Sequence, residues 1–358
     1  MLFNSFSFLL IFFPLVLFVS TKLIGKPLIR WITLASILFY SYAGHKWFVI
    51  PMLFTTVLDF QLAKLMEKRP LDKRFKWILL IISLSGNLGL LFIFKYAGLF
   101  ADFFGIFHST ENGILHSTFG NLFTLGLPAG ISFYTFQTMS YVIDVYRGDC
   151  PAEKGFWKFA CFVSFFPHLV AGPLTRHNQL IPQLDIIENR GIRPRWNAGI
   201  FLFSIGLSKK VLIADRIGTL IDPLLVDIGR LDCVSAWMAL IGYALQIYFD
   251  FSGYSDMAIG LARLFDIELP QNFCSPYKAL NPSDFWRRWH MTLSRWLKDY
   301  LYISLGGNRC GPLRRNVNLM LTMALGGLLA RSKLDIYCLG RFSWISINWL
   351  PLCTKYMG

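Results

Sequence analysis

The residues best suited to chemistry lie between positions 281 and 302, in "NPSDFWRRWHMTLSRWLKDYLY". His290 stands there among Trp286, Trp289 and Trp296, with Arg287, Arg295 and Lys298 close by in sequence. An imidazole exchanges a proton near neutral pH, and an ionisable group within or beside a bilayer is expensive unless it has work to do. Two readings follow from the residues. In one, Trp286, Trp289, Leu293 and Trp296 form one face of an amphipathic helix in the headgroup zone, and the cations meet anionic lipid. In the other, His290 lies at the floor of a catalytic chamber and moves a proton. Asn281, Pro282 and Ser283 read as the helix start, with Ser283 or Asp284 available as N-cap.

The surrounding segment, 271–315, holds eight Lys or Arg against Asp284 and Asp299, which marks a cytoplasmic-side element. A second group of polar residues, Asp250, Ser252, Tyr254 and Asp256, sits in the apolar neighbourhood "YFDFSGYSDMAIG". Tunnel lining and helix-to-helix hydrogen bonding explain these four equally well. His168 and His177, in "FFPHLVAGPLTRHNQ", read chiefly as structural hydrogen-bonding residues that could also shape a chamber.

These groups must be positioned by membrane helices. Of 358 residues, 54% are hydrophobic and 16% charged, with a mean hydropathy of +0.48. The expected fold is therefore all-α: a single polytopic helical membrane domain, with the lipid bilayer as its main solvent. The net charge of +14 fits cytoplasmic loops, and no basic segment carries a nucleic-acid-binding motif, so no nucleic acid partner is expected. Cysteines at 150, 161, 233, 274, 310, 338 and 353 form no CxxC pair and no zinc spacing, so no metal is expected.

The opening "MLFNSFSFLLIFFPLVLFVSTKLIGK" lacks a basic leading region and reads as a retained first span. Lys22 and Lys26 place its end inside and the N-terminus outside. Further apolar runs fall near 31–43, 47–66, 77–99, 122–146, 157–172, 197–215, 232–250 and 316–330. The basic loop 67–76 should be cytoplasmic, and 100–121, which has no Lys or Arg, should be outside. Both flanks of the 157–172 run are basic: Arg147, Lys154 and Lys158 precede or open it, and Arg176, Arg190, Arg193 and Arg195 follow. A re-entrant segment, broken by its Pro and Gly, satisfies both flanks.

"DFWRRWHMTLSRWLKDYLYISLGGNR" resembles the membrane-bound O-acyltransferase (MBOAT) family, and within it the bacterial alginate O-acetylase branch. Supporting stretches are "LPAGISFYTFQTMSYVIDVYRGD" (127–149), "FVSFFPHLVAGPLTRHNQLIPQL" (162–184), "GLSKKVLIAD" (206–215) and "YFDFSGYSDMAIGLARLFDIELPQNF" (248–273). The resemblance implies a helical fold around a chamber through the bilayer of the bacterial inner membrane. It further implies O-acetylation of an exported, alginate-like polysaccharide. No cofactor would be bound; acetyl-CoA or a similar cytoplasmic acyl donor would be a substrate. The acceptor would be the polysaccharide or a periplasmic acetyl-relay protein. His290 matches one of two family histidines; acyl transfer needs a base to take the proton of the attacking hydroxyl, and a buried imidazole suits that role. Trp286, Arg287, Trp289, Asp250, Ser252, Tyr254, Asp256 and His168 become tunnel or donor-side candidates. Alternatives are D-alanyl transfer to a cell-envelope polymer, or a non-catalytic membrane scaffold or transporter in a glycan-modifying complex.

The second family histidine belongs to a "GGLWHG" motif, expected near Leu329 and Ala330, where this chain reads "GGLLARS". None of the six histidines lies beyond position 290. Permitted codons for 329–348, read one nucleotide later, spell "WHGASWTFIVWGGFHGYLL". The expected organisation is an incomplete MBOAT-like domain over 1–328 and an out-of-frame tail over 329–358, with little or no activity in the chain as it stands.

Overall fold

The computed structural model describes residues 3–43, 46–69, 71–103, 128, 130–226, 229 and 231–330. Among these, every regular element is helical. The tail beyond 330, and most of the loop expected to lie outside at 100–121, fall outside the described residues. Among the described residues, four helical stretches are long and apolar enough to cross a membrane: Lys46–Lys68, Lys73–Tyr96, Trp196–Val226 and Cys233–Leu264. They expose large apolar side chains such as Ile82, Phe201, Leu220, Trp237 and Ile241, as suits a surface solvated by lipid tails. The chain divides into two compact units, Met1–Val49 with Gly155–Gln271, and Ile50–Lys154 with Asn272–Gly358.

In the first unit, a π-helical turn, Phe8–Phe12, leads into α1 (Phe13–Lys22), followed by α2 (Lys26–Ala43). The 157–172 run is broken into α6 (Phe156–Ser164) and α7 (Phe166–Leu169), the numbers α3 to α5 belonging to the other unit. At about 1.5 Å per residue neither piece spans a ~30 Å hydrocarbon layer. The break falls at Phe165, two residues before Pro167, and the freed Phe166 N–H donates to Ser36 Oγ of α2 at 3.1 Å. The interrupted backbone is thus satisfied by protein, the condition for irregular chain at membrane depth.

α8 (His177–Arg190) leads to α9 (Trp196–Ser208), a π-helical segment Lys209–Ala214, and α10 (Asp215–Val226). α11 (Cys233–Leu264) starts on Asp232, whose carboxylate accepts the Ser235 N–H at 3.2 Å. It runs 32 residues, well past the 232–250 span expected from apolar character.

α9 and α11 approach through glycines. A Cβ on Gly206 would stand 2.5 Å from the Gly253 carbonyl oxygen, and one on Gly253 2.7 Å from that of Gly206. Seven residues along each helix, a Cβ on Gly260 would stand 2.7 Å from the Gly199 carbonyl oxygen. Small residues let backbones pack where lipid supplies no hydrophobic driving force.

In the second unit, α3 (Val49–Lys68), α4 (Lys73–Phe103) and α5 (Ile131–Arg147) are pinned by buried polar groups. Asp59 of α3 accepts from Ser83 Oγ at 2.6 Å and Asn87 Nδ2 at 2.8 Å, both on α4, and Asn87 Oδ1 accepts from Thr138 Oγ1 of α5 at 3.1 Å. α5 is bounded by Gly130 and Gly148, at φ 72° and 85°, the left-handed conformation that glycine takes without penalty. The unit also holds α12 (Pro282–Arg288), α13 (Met291–Trp296), a π-helical segment Leu297–Tyr302, and α14 (Pro312–Ala330).

Candidate functional site

The amphipathic helix expected through 283–298 is two helices with His290 at the break. α12 ends at Arg288, His290 sits at φ 42° and ψ 54°, and α13 begins at Met291. The N-cap is Asn281, whose Oδ1 accepts the Asp284 N–H at 2.8 Å, in place of the expected Ser283 or Asp284. Pro282 at the first helical position leaves Asn281 as the flanking cap. Asp284 pairs instead with Arg288 at 2.9 Å, one turn on.

The break also overturns the single aromatic face. Trp289 packs on Phe285, Phe273 and Tyr277, with centroids 5.6, 5.1 and 6.3 Å away. Trp296 turns to α5, where its ring lies 4.5 Å from Phe136 and its Nε1 donates to the Phe136 carbonyl at 2.9 Å. Trp286 and Arg287 are exposed on α12.

The break is held by the segment that precedes α12. The Cys274 N–H donates to the Arg288 carbonyl at 3.0 Å, and the Met291 N–H to the Asn272 carbonyl at 2.9 Å. Asn272 is almost fully buried, at 1% exposure, and its side chain closes the corner. Its Oδ1 lies 3.0 Å from His290 Nδ1, and it accepts from Thr292 Oγ1 at 2.8 Å and from the Thr292 N–H at 3.3 Å. The His290 ring stacks on Phe133 of α5 at 6.2 Å and tilts against Phe273 at 6.5 Å. Burial pushes its pKa down to about 4, so the imidazole is neutral at physiological pH.

The left-handed backbone lifts His290 out of the helical run into which its sequence would otherwise fit. A non-glycine residue held there costs energy unless its surroundings over-determine it, and such residues cluster at functional sites. A buried neutral imidazole in an aromatic setting can take a proton from a hydroxyl and return it to a leaving group. Among the described residues, no three His, Cys, Asp or Glu side chains are arranged to hold a metal.

The remaining candidates belong to the first unit. His168 is buried against Phe165, centroids 5.6 Å apart, and His177 stands edge-on to Phe162 at 5.7 Å. The four polar residues of α11 do not form one cluster. Asp250 pairs with Lys210 at 2.5 Å and Asp256 with Lys209 at 2.6 Å, both lysines lying on the π-helical segment after α9. Lys210 also reaches Asp215 at 2.9 Å. Tyr254 stacks on Phe3 at 4.7 Å, and Ser252 is buried. The carboxylates thus meet a neighbouring helical segment as counter-ions, because opposite charges within a span cost least when paired with each other. Lys209 and Lys210, the aspartates' partners, were not predicted from the sequence. Asn272 was missed as well: a lone Asn in "QNFCSP" carries no pattern that ties it to a histidine eighteen positions on.

Residues 153–345 match the family model for membrane-bound O-acyltransferases. The chain belongs to the membrane-bound O-acyltransferase family. This MBOAT chain is 38% identical to the peptidoglycan O-acetyltransferase of Helicobacter pylori over 91% of its own length, and 39% identical to the probable alginate O-acetylase of Pseudomonas aeruginosa over 92%. It spans 66% and 62% of the length of those two relatives. The teichoic acid D-alanyltransferase of Bacillus subtilis is more distant, 29% identical over 49% of this chain and 44% of its own. Membership in MBOAT and the apolar helices make this a multi-pass membrane protein.

Proposed function

We propose that this MBOAT chain is the greater part of a bacterial inner-membrane O-acetyltransferase that acetylates a sugar hydroxyl of an exported polysaccharide. The donor is acetyl-CoA or a similar cytoplasmic thioester, used as a substrate, and the acceptor is the glycan itself or a periplasmic acetyl-relay protein. The observation that carries this reading is His290, buried, neutral and held at a left-handed break. In the reaction its imidazole takes the proton of the acceptor hydroxyl as the oxygen attacks the thioester carbonyl. The tetrahedral intermediate then expels the thiolate, which receives that proton, so an ester and a free thiol replace the hydroxyl and the thioester. Trp286 and Arg287, exposed on α12, are suited to meet the donor.

The names of the Helicobacter and Pseudomonas aeruginosa relatives point to an acetyl group and to a polysaccharide, peptidoglycan in one case and alginate in the other. D-alanyl transfer is the second reading, favoured by the more distant Bacillus relative. The second family histidine is missing near Leu329, so the out-of-frame tail would leave the chain as it stands with little or no activity. The test is expression of a frame-restored gene, one nucleotide deleted at the Leu328–Leu329 codons, in a host lacking its own envelope acetylase. Ester-linked acetate on exported glycan supports the proposal. Ester-linked D-alanine, or no acyl ester with the protein correctly inserted, contradicts it.

A further inference from the structure

We propose that Asn272 is a positioning residue for His290: its amide oxygen selects the Nδ1–H form of the imidazole and leaves Nε2 as the nitrogen that accepts the proton. The inference rests on the reading of His290 as the base, and adds which nitrogen acts and what decides it.

The chemistry of the donors fixes the assignment. A backbone N–H can only donate, and the Thr292 N–H points at the same Asn272 atom that faces His290, at 3.3 Å. That atom is therefore the amide oxygen and not the NH2 group, an ambiguity that an isolated Asn would leave open. An amide oxygen only accepts, so His290 Nδ1, 3.0 Å away, must carry the hydrogen. A neutral imidazole has one N–H, and Nε2 then holds the lone pair.

The corner is built so that this choice does not drift. The Asn272 backbone carbonyl accepts the Met291 N–H at 2.9 Å, so the same residue anchors the chain on one side of His290 and its ring on the other. Thr292 Oγ1 donates to the amide oxygen at 2.8 Å, which opposes rotation of the amide. Asn272 is 1% exposed and Thr292 5%, so water competes poorly for the oxygen. The packing of Phe133 and Phe273 requires no particular tautomer, whereas the amide oxygen does.

A neutral amide suits this task better than a carboxylate here. A carboxylate would stabilise imidazolium and keep the base protonated, whereas an amide orients the ring and leaves it uncharged.

The test reads the tautomer directly and does not depend on catalysis. The 358-residue chain, labelled with 15N-histidine and held in lipid nanodiscs, is examined by nitrogen-detected NMR at neutral pH, with the His290 signals assigned by their loss in His290→Gln. The expected result is a protonated Nδ1 and an unprotonated Nε2. Asn272→Ala should shift His290 to a mixture or to the Nε2–H form. Thr292→Val, which leaves the Asn272 amide oxygen in place, should retain Nδ1–H. An Nε2–H His290 in the unaltered chain, or an unchanged tautomer in Asn272→Ala, overturns the proposal. Continued acyl transfer by a His290→Ala variant would instead overturn the reading of His290 as the base, with the tautomer assignment left standing.

Discussion

Tyr300 donates its phenolic hydroxyl to Asp144 at 2.8 Å, joining the segment that follows His290 to the last turn of α5. Arg147, one turn on, lies 5.5 Å above the Tyr300 ring and donates to Ser304 Oγ at 3.0 Å. With Trp296 bonded to the Phe136 carbonyl and His290 stacked on Phe133, α5 is the platform against which the His290 segment is set. Tyr300→Phe removes one donor from a carboxylate that is 8% exposed, and should destabilise the fold by about 1–3 kcal/mol. Thermal unfolding in nanodiscs checks this; an unchanged midpoint would show that the bond contributes nothing net.

Acid should weaken the fold through two histidines. Burial pushes both His290 and His177 down to about 4, the nearby Asp185 carboxylate partly offsetting the effect at His177. An unfolded chain binds protons at these rings below the ordinary histidine value of about 6.5, whereas the folded chain resists until about pH 4. Stability therefore rises with pH across that window and its histidine contribution levels off above it. Melting curves from pH 4 to 7 should show the slope, and His290→Gln and His177→Gln should each flatten it. A slope that survives both replacements would assign the acid sensitivity elsewhere.

The class of the fold was legible because composition alone excludes water as the main solvent, and the break near Pro167 was legible because Pro and Gly sit there between two basic flanks that both call for the same side. The break at His290 was not. "WRRWHMTLSRW" contains neither Gly nor Pro and spaces its aromatics as one helix would. What ends the helix is Asn272, which local periodicity cannot see. The length of α11 was hidden for a related reason. Asp250 and Asp256 lower the apparent apolarity of its second half, but their charges are matched by Lys210 and Lys209 on another segment. Likewise, Gly199, Gly206, Gly253 and Gly260 look unremarkable singly, and acquire meaning only when two helices meet at them.

The segment over α6 and α7 should enter and leave the membrane on the same side. Lys154 and Arg193 flank it and are exposed. Single cysteines placed at these two positions in a cysteine-free background should both react with a membrane-impermeant maleimide only when the cytoplasmic face is opened. Labelling from opposite faces would make the segment a crossing helix.

The gene should carry a frame error near the codons for Leu328 and Leu329, with one nucleotide gained or two lost. Arg331, Lys333 and Asp335 would each resist insertion by roughly 2.5 to 3.5 kcal/mol at mid-bilayer, whereas permitted codons for the same stretch, read one nucleotide later, can encode an apolar helix. Sequencing across codons 325 to 350 decides it. The prediction fails if the plus-one frame does not encode Trp-His-Gly directly after Gly-Gly-Leu.

The most direct measurement of the central claim is the rate of acetyl transfer by His290→Ala in the frame-restored protein, compared with its parent at equal membrane content. Loss of a general base should lower kcat/KM by about 10²- to 10⁴-fold, with insertion and folding retained. A variant that acetylates polysaccharide at the parental rate would show that His290 is not the base.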